Sequence, residues 1–174
     1  MVTLLSVRAA YGATRGTLAV GERMRPCALG RAGLTDHKRE GDGATPIGRF
    51  PLRRLFYRPD REAPPATGLP ALPLAEDLGW CDDPAEPSLY NRLVRLPFAA
   101  GHERMWRDDG LYDLVVEIGY NDAPPRPGSG SAIFLHLARP DWAPTEGCVA
   151  MERADLLAVL AAIGPESLID IAAI

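Results

Sequence analysis

The sequence predicts a mainly β domain with one helix near its C-terminal end. Three observations carry this. Seventeen glycines and seventeen prolines are spread along the 174 residues and cut the chain into short pieces, which disfavours a helical bundle. Many of those pieces are apolar or alternating runs bounded by turn residues, the pattern of strands. A single stretch late in the chain has helical spacing. The length suits one domain with a substantial core, so residues 1–174 are expected to form a single unit.

In chain order the expected strands are VTLLSV from Val2, GTLAVG from Gly16, MRPCALG from Met24 and GRFPLRRLFYR from Gly48. NRLVRLPF from Asn91, YDLVVEIGY from Tyr112, SAIFLHLA from Ser131 and SLIDIAAI from Ser167 follow. Within YDLVVEIGY, Leu114, Val116, Ile118 and Tyr120 share one face. Within AIFLHLA, Ile133, Leu135 and Leu137 point one way, and Phe134 and His136 the other. The helix is expected over about 152–163, where Leu156, Leu157, Leu160 and Ile163 form one stripe. Glu152 and Asp155 suit its positive end, and Gly164-Pro165 stops it. The proline-rich stretch at about 59–87 has no periodicity and is long for a bare loop; it reads as an insertion covering a site.

Composition excludes some functions. With 47% hydrophobic residues, 24% charged residues and a net charge of -4, the chain has a globular rather than a disordered or membrane-spanning profile. No apolar run is long enough to span a bilayer. The opening MVTLLSVRAAYGATRG lacks the basic and apolar regions of a signal peptide. An acidic balance argues against nucleic acid as a partner of the whole surface, because phosphate contacts need clustered positive charge. Cys27, Cys81 and Cys148 form an odd set. Either all three are reduced thiols, or Cys27 and Cys81 form a disulfide and Cys148 stays free.

The stretch TEGCVAM, Thr145 to Met151, carries the candidate chemistry. Cys148 stands between the strand that holds His136 and the helix expected from Glu152. A thiol at a helix N-terminus is drawn toward the thiolate by unpaired N–H groups and the dipole. Gly147 lets backbone approach a substrate closely, and the N–H groups around Gly147 and Cys148 can face a developing oxyanion. An imidazole at His136, twelve positions earlier, can take the thiol proton and pass it to a leaving amine. The plain alternative is a buried apolar cysteine beside a satisfied strand histidine.

Other stretches offer further candidates. In GWCDDP, Trp80, Cys81, Asp82 and Asp83 could be joined by His102 or His37 at a metal, but no H-E-x-x-H or paired C-x-x-C supports one. They also suit a turn with Trp80 packed as a lid, and Asp82 can pair with a substrate ammonium. GDGATPIG lacks the G-K-[ST] ending of a nucleotide-binding loop. Tyr120 and Asn121 can line a cleft, or Asn121 can close an Asx turn. YNRLVRLP offers Tyr90, Asn91 and Arg92. Arg139 in LARPDW can hold a substrate carboxylate or be solvated, and His102 and Trp106 are expected on a short helical turn.

IFLHLARPDWAPTEGC resembles the active-site signature of the YkuD-type L,D-transpeptidases, in which a strand histidine is followed by Ser/Thr-His-Gly-Cys. His136, Thr145, Gly147 and Cys148 match, as do Thr45, Pro46, Gly48 and Phe50 for the family's T-P-x-G-x-F element. Glu146 stands where the family has histidine, Ala150 replaces a polar residue, and the His-to-Cys loop is short. An ionised Glu146 beside the thiol would oppose its ionisation; alternatively it holds an acceptor amine.

The resemblance implies a β-sandwich or barrel of mixed sheets. It implies a cysteine acyltransferase that joins peptidoglycan stem peptides through a thioester on Cys148, with His136 as base. The crosslink would be 3→3, or 1→3 if the L-Ala–diaminopimelate bond is attacked. No metal or cofactor is implied, and the substrate implies a periplasmic site of action. The alternatives are a carboxypeptidase or cysteine amidase that uses water, and a catalytically silent wall-binding module.

Overall fold

The structure is a computed structural model that describes residues 3–174, so the expected start of the first strand at Val2 lies outside the described residues. Its elements are β1 (Leu4–Ala9), β2 (Arg15–Val20), β3 (Arg23–Ala28), β4 (Leu34–Thr35), β5 (Thr45–Pro46), β6 (Gly48–Tyr57) and β7 (Ala71–Pro73). There follow β8 (Leu78–Cys81), β9 (Leu93–Arg95), β10 (His102–Arg104), β11 (Leu114–Ile118), β12 (Phe134–Leu137), β13 (Val149–Met151), α1 (Arg153–Ala162) and β14 (Leu168–Ala173). The fold is the mixed-sheet, mainly β architecture with one helix that the alternating runs and the resemblance both imply.

The main sheet runs β11-β12-β13-β3-β2-β1-β14-β6-β7, and β11 pairs back onto β6, so all but β7 close into a barrel. β1 pairs with β14 and β12 with β13 in parallel, and β2 bridges β1 and β3 antiparallel. A second sheet, β10-β8-β9, lies against the outside of this wall.

Strand alternation sorts residues to the two sides of the wall. Leu114, Val116 and Ile118 of β11, Leu135 and Leu137 of β12, and Val149 and Met151 of β13 join the main core inside the barrel. Val115, Phe134 and Cys148, from the same segments, belong to a second core outside it, with Leu78, Trp80, Met105 and Tyr112. The helix adds Leu156, Val159, Leu160 and, just past its end, Ile163 to the main core. Val159 takes the fully buried place expected of Leu157, which is only half-buried.

Two expectations are corrected, and the alternative left open for the cysteines resolves to reduced thiols. The stretch at 59–87, read as lacking periodicity, contains β7 and β8, and all four residues of β8 are buried. His102 lies on strand β10 rather than on a helical turn. Cys27, Cys81 and Cys148 are all free, buried thiols, with Cys27 inside the barrel and Cys81 on β8.

Candidate active site

The two motifs seen in the sequence meet at the backbone of Cys148. Thr145 exchanges hydrogen bonds with the residues on either side of Gly30: its N–H donates to Leu29 O at 2.8 Å, and its carbonyl accepts from Arg31 N–H at 2.8 Å. The Gly30 N–H in turn donates to Thr45 Oγ1 at 2.9 Å. The Cys148 carbonyl then receives two hydroxyls, Thr145 at 2.7 Å and Thr45 at 3.5 Å. Gly147 between them has φ +136°, and a Cβ there would lie 2.8 Å from the Ala44 carbonyl oxygen. Only glycine fits that approach.

The sulfur of Cys148 sits in a ready-made socket. Its S–H donates to Ala132 O at 3.3 Å, and it accepts from Phe134 N–H at 3.4 Å. His136 is backbone-paired with Ala150, two residues past the cysteine, so imidazole and thiol project from the same face of the wall. Both line one cavity of about 470 Å³. His136 Nδ1 lies 2.9 Å from Leu137 O, which makes Nδ1 the protonated nitrogen and leaves Nε2 as the acceptor. Tyr112 packs edge-on to the imidazole, with centroids 5.2 Å apart, and to Phe134 at 5.9 Å.

Burial holds both groups neutral. It pushes the Cys148 thiol up to about 12 and His136 down to about 4. The helix-terminus expectation is therefore corrected. α1 begins at Arg153, beyond the intervening strand β13, and burial outweighs any pull toward the thiolate. The carboxylate that opposes ionisation of the thiol is Glu103, not Glu146. Glu146 lies at the cavity rim, its side chain 79% exposed and paired with Arg31 at 2.8 Å.

The remaining candidates separate cleanly. Thr145, Glu146, Arg139 and Asp82 line the cavity with Cys148 and His136. Trp80, Tyr120 and Asn121 do not. Trp80 is buried beneath the site rather than capping it; it packs edge-on to Phe134 at 5.1 Å and donates Nε1–H to Asn91 Oδ1 at 2.9 Å. Tyr120 packs on Phe50 and donates its hydroxyl to Ser129 O at 2.6 Å. Asn121 closes its own loop through Arg126 and Gly130.

Lys38, Glu40, Glu103, Arg107 and Tyr112 also line the cavity, although no spacing in the sequence points to them. Tyr112 donates to Glu103 at 2.5 Å. Burial first, and then Asp82 and Glu40, raise the affinity of Glu103 for a proton. Arg107 stands 3.7 Å from Glu103 but bonds Asp109 through two nitrogens, and Lys38 is tied to Asp42. Arg107 is thus shared between Glu103 and Asp109, and Lys38 is held by Asp42. Among the described residues, no three His, Cys, Asp or Glu side chains gather as a metal site.

A thiol and a neutral, oriented imidazole on the outer wall of a closed mixed barrel define the class: a β-barrel protein with a cysteine–histidine pair. The chain belongs to the YkuD family, whose L,D-transpeptidase catalytic domain matches residues 10–171. No curated protein matches it. Among solved structures it is similar to the helical cell shape determining protein Pgp2 from Campylobacter jejuni, at 14% identity and a TM-score of 0.48, over 98% of this chain and 47% of that one. Bdellovibrio bacteriovorus Bd1075 gives 17% identity and 0.46, over 98% and 48%. Mycobacterium tuberculosis L,D-transpeptidase 1 gives 14% and 0.40, over 97% and 61%. The chain thus spans about half the length of the first two.

Proposed function

We propose that this protein is a peptidoglycan L,D-transpeptidase acting in the periplasm, with Cys148 as nucleophile and His136 as general base. One observation carries the reading: a neutral imidazole, its Nδ1–H held by Leu137 O, faces the same cavity as a socketed thiol. Because both groups rest neutral, the proton leaves sulfur as sulfur attacks, rather than from a standing ion pair.

Cys148 Sγ bonds to the carbonyl carbon of the diaminopimelate residue while His136 Nε2 takes the thiol proton. The Gly147 N–H is already given to Thr145 Oγ1 at 3.1 Å, so the Cys148 N–H is the oxyanion donor from this turn. The bond to the terminal D-alanine then breaks, its nitrogen receives the proton from His136, and a thioester remains. An amine of a second stem peptide attacks the thioester and gives its proton to His136, and the Cys148 thiolate leaves and takes that proton back. Asp82 and Glu103 suit recognition of that amine, with Glu146 at the rim, and Arg139 suits a stem carboxylate. Attack at the diaminopimelate carbonyl gives a 3→3 crosslink; attack at the L-Ala carbonyl gives a 1→3 crosslink.

The test is incubation with purified disaccharide-tetrapeptide, wild type beside Cys148→Ala, read by chromatography and mass spectrometry. Dimers with wild type alone are expected, and their fragmentation identifies the linkage. Shortened monomers alone would reassign the enzyme as a carboxypeptidase. No product and no Cys148 adduct would leave a binding module.

A further inference from the structure

We propose that Asn91 is a positioning residue for Cys148, acting through the carbonyl of Ala132. The consequence for turnover rests on Cys148 being the nucleophile; the structural claim does not.

The Asn91 side chain is enclosed and spends its whole hydrogen-bonding capacity. Its Oδ1 accepts from Ala132 N–H at 3.0 Å and from Trp80 Nε1–H at 2.9 Å. Its Nδ2 donates to Tyr120 O at 3.0 Å and Asn121 O at 2.8 Å. Two lone pairs and two N–H groups are all that an amide offers. Because the oxygen faces two donors and the nitrogen two carbonyls, only one orientation of the amide satisfies the site.

What the amide holds is an unusual backbone. Ala132 has φ +53°, in the left-handed region that a Cβ disfavours. Asn91 itself is at +55° and Asn121 at +49°, so three of the four non-glycine residues with positive φ among the described residues belong to this one cluster. Strain of this kind persists only where surrounding contacts over-determine it. Here the contacts are visible. Asn91 fixes the Ala132 N–H, and the neighbouring Tyr90 hydroxyl accepts from Gly130 N–H at 3.0 Å while donating to Glu40. Ser131 also donates to Glu40, at 2.7 Å.

The strained residue is the one that touches the sulfur. With its N–H pinned by Asn91 and its φ left-handed, Ala132 aims its carbonyl at the Cys148 S–H. Two residues on, Phe134 gives its N–H to the same sulfur. A dipeptide remote in sequence thus sets where the nucleophile rests. Freed of the Ala132 acceptor, the thiol loses the partner that favours its protonated form and wanders from the attack position.

The test uses Asn91→Gly, since glycine adopts positive φ freely and the change isolates the amide, and Ala132→Gly, which relieves the strain and frees the carbonyl. Iodoacetamide labelling of the intact chain is followed against pH, with Cys148 and Cys27 resolved by peptide mass spectrometry. Cys27, fully enclosed in the barrel core, reports unfolding. The expected result for Asn91→Gly is a Cys148 profile moved to lower pH, about threefold faster at a fixed pH for half a unit. Cys27 stays protected, and turnover on stem peptides falls roughly tenfold. Ala132→Gly moves both readings the same way by less. A Cys148 profile that superimposes on wild type overturns the proposal, as does labelling of Cys27 in step with Cys148. Labelling needs no substrate, so an enzyme inactive on stem peptides leaves this test intact.

Discussion

Phe134 and Leu135 are adjacent on β12, yet they belong to two different interiors. Leu135 points into a core of mainly aliphatic side chains from the barrel strands and α1. Phe134 points outward into a core assembled from Phe56, Leu78, Trp80, Met105, Tyr112 and Cys148, where a polar amide, an imidazole and a carboxylate are interleaved. The inner core is stabilised by burial of apolar area alone. The outer one must also satisfy each polar group it encloses, because an unpaired one costs more than its hydrogen bond returns. No buried side-chain nitrogen or oxygen lacks a partner among the described residues. Chemistry needs the second kind of interior, where an imidazole, a thiol and a carboxylate border one cavity.

The sharpest way to break this contrast is to hollow the inner side. Leu135→Ala should cost about 2–5 kcal/mol of unfolding free energy by denaturant titration, because the closed barrel cannot collapse around the lost side chain. Cys148 labelling in the folded state should be unchanged. If its titration moves as well, the two interiors are coupled and the division fails.

The outer side should carry the acid sensitivity. His136 is held down to about 4 in the folded state against an ordinary 6.5, so below 6.5 the unfolded chain binds a proton that the folded chain refuses. Stability is therefore lost as pH falls from 6.5 toward 4, by about 3 kcal/mol in all. His136→Gln should flatten that part of the stability–pH curve. An unchanged slope would place the acid sensitivity elsewhere.

Thr45→Val tests the seam between the motifs. It leaves the enclosed Gly30 N–H without its acceptor and should cost about 1–3 kcal/mol, measured by thermal unfolding. The smallest expected effect separates two carboxylates. Glu146→Gln removes an exposed pair with Arg31, should cost less than about 1 kcal/mol, and should leave the Cys148 titration where it was. Glu103→Gln should instead lower the pH at which Cys148 labels, since it removes a negative charge that opposes the thiolate. The reverse ranking would restore Glu146 as the residue that sets the electrostatics of the thiol.

Much of this protein follows from local rules that the sequence obeys. Period-two alternation placed Leu135 and Leu137 opposite Phe134 and His136, and the 3.6-residue stripe with its Gly-Pro stop bounded α1 to within a residue at each end. The motif resemblance, rather than spacing, brought Cys148 and His136 together, and both line one cavity. What the tertiary structure alone decided is the environment of that pair. A helix N-terminus was expected to ionise the thiol, but β13 intervenes and burial keeps it neutral. Ala132 touches the sulfur and Tyr112 the imidazole, while Asn91 stands behind Ala132 and Glu103 beside Tyr112. No spacing encodes such contacts. A pKa or a strained φ is set by everything packed around a group, and that is fixed only when the barrel closes and the second sheet covers its outer wall.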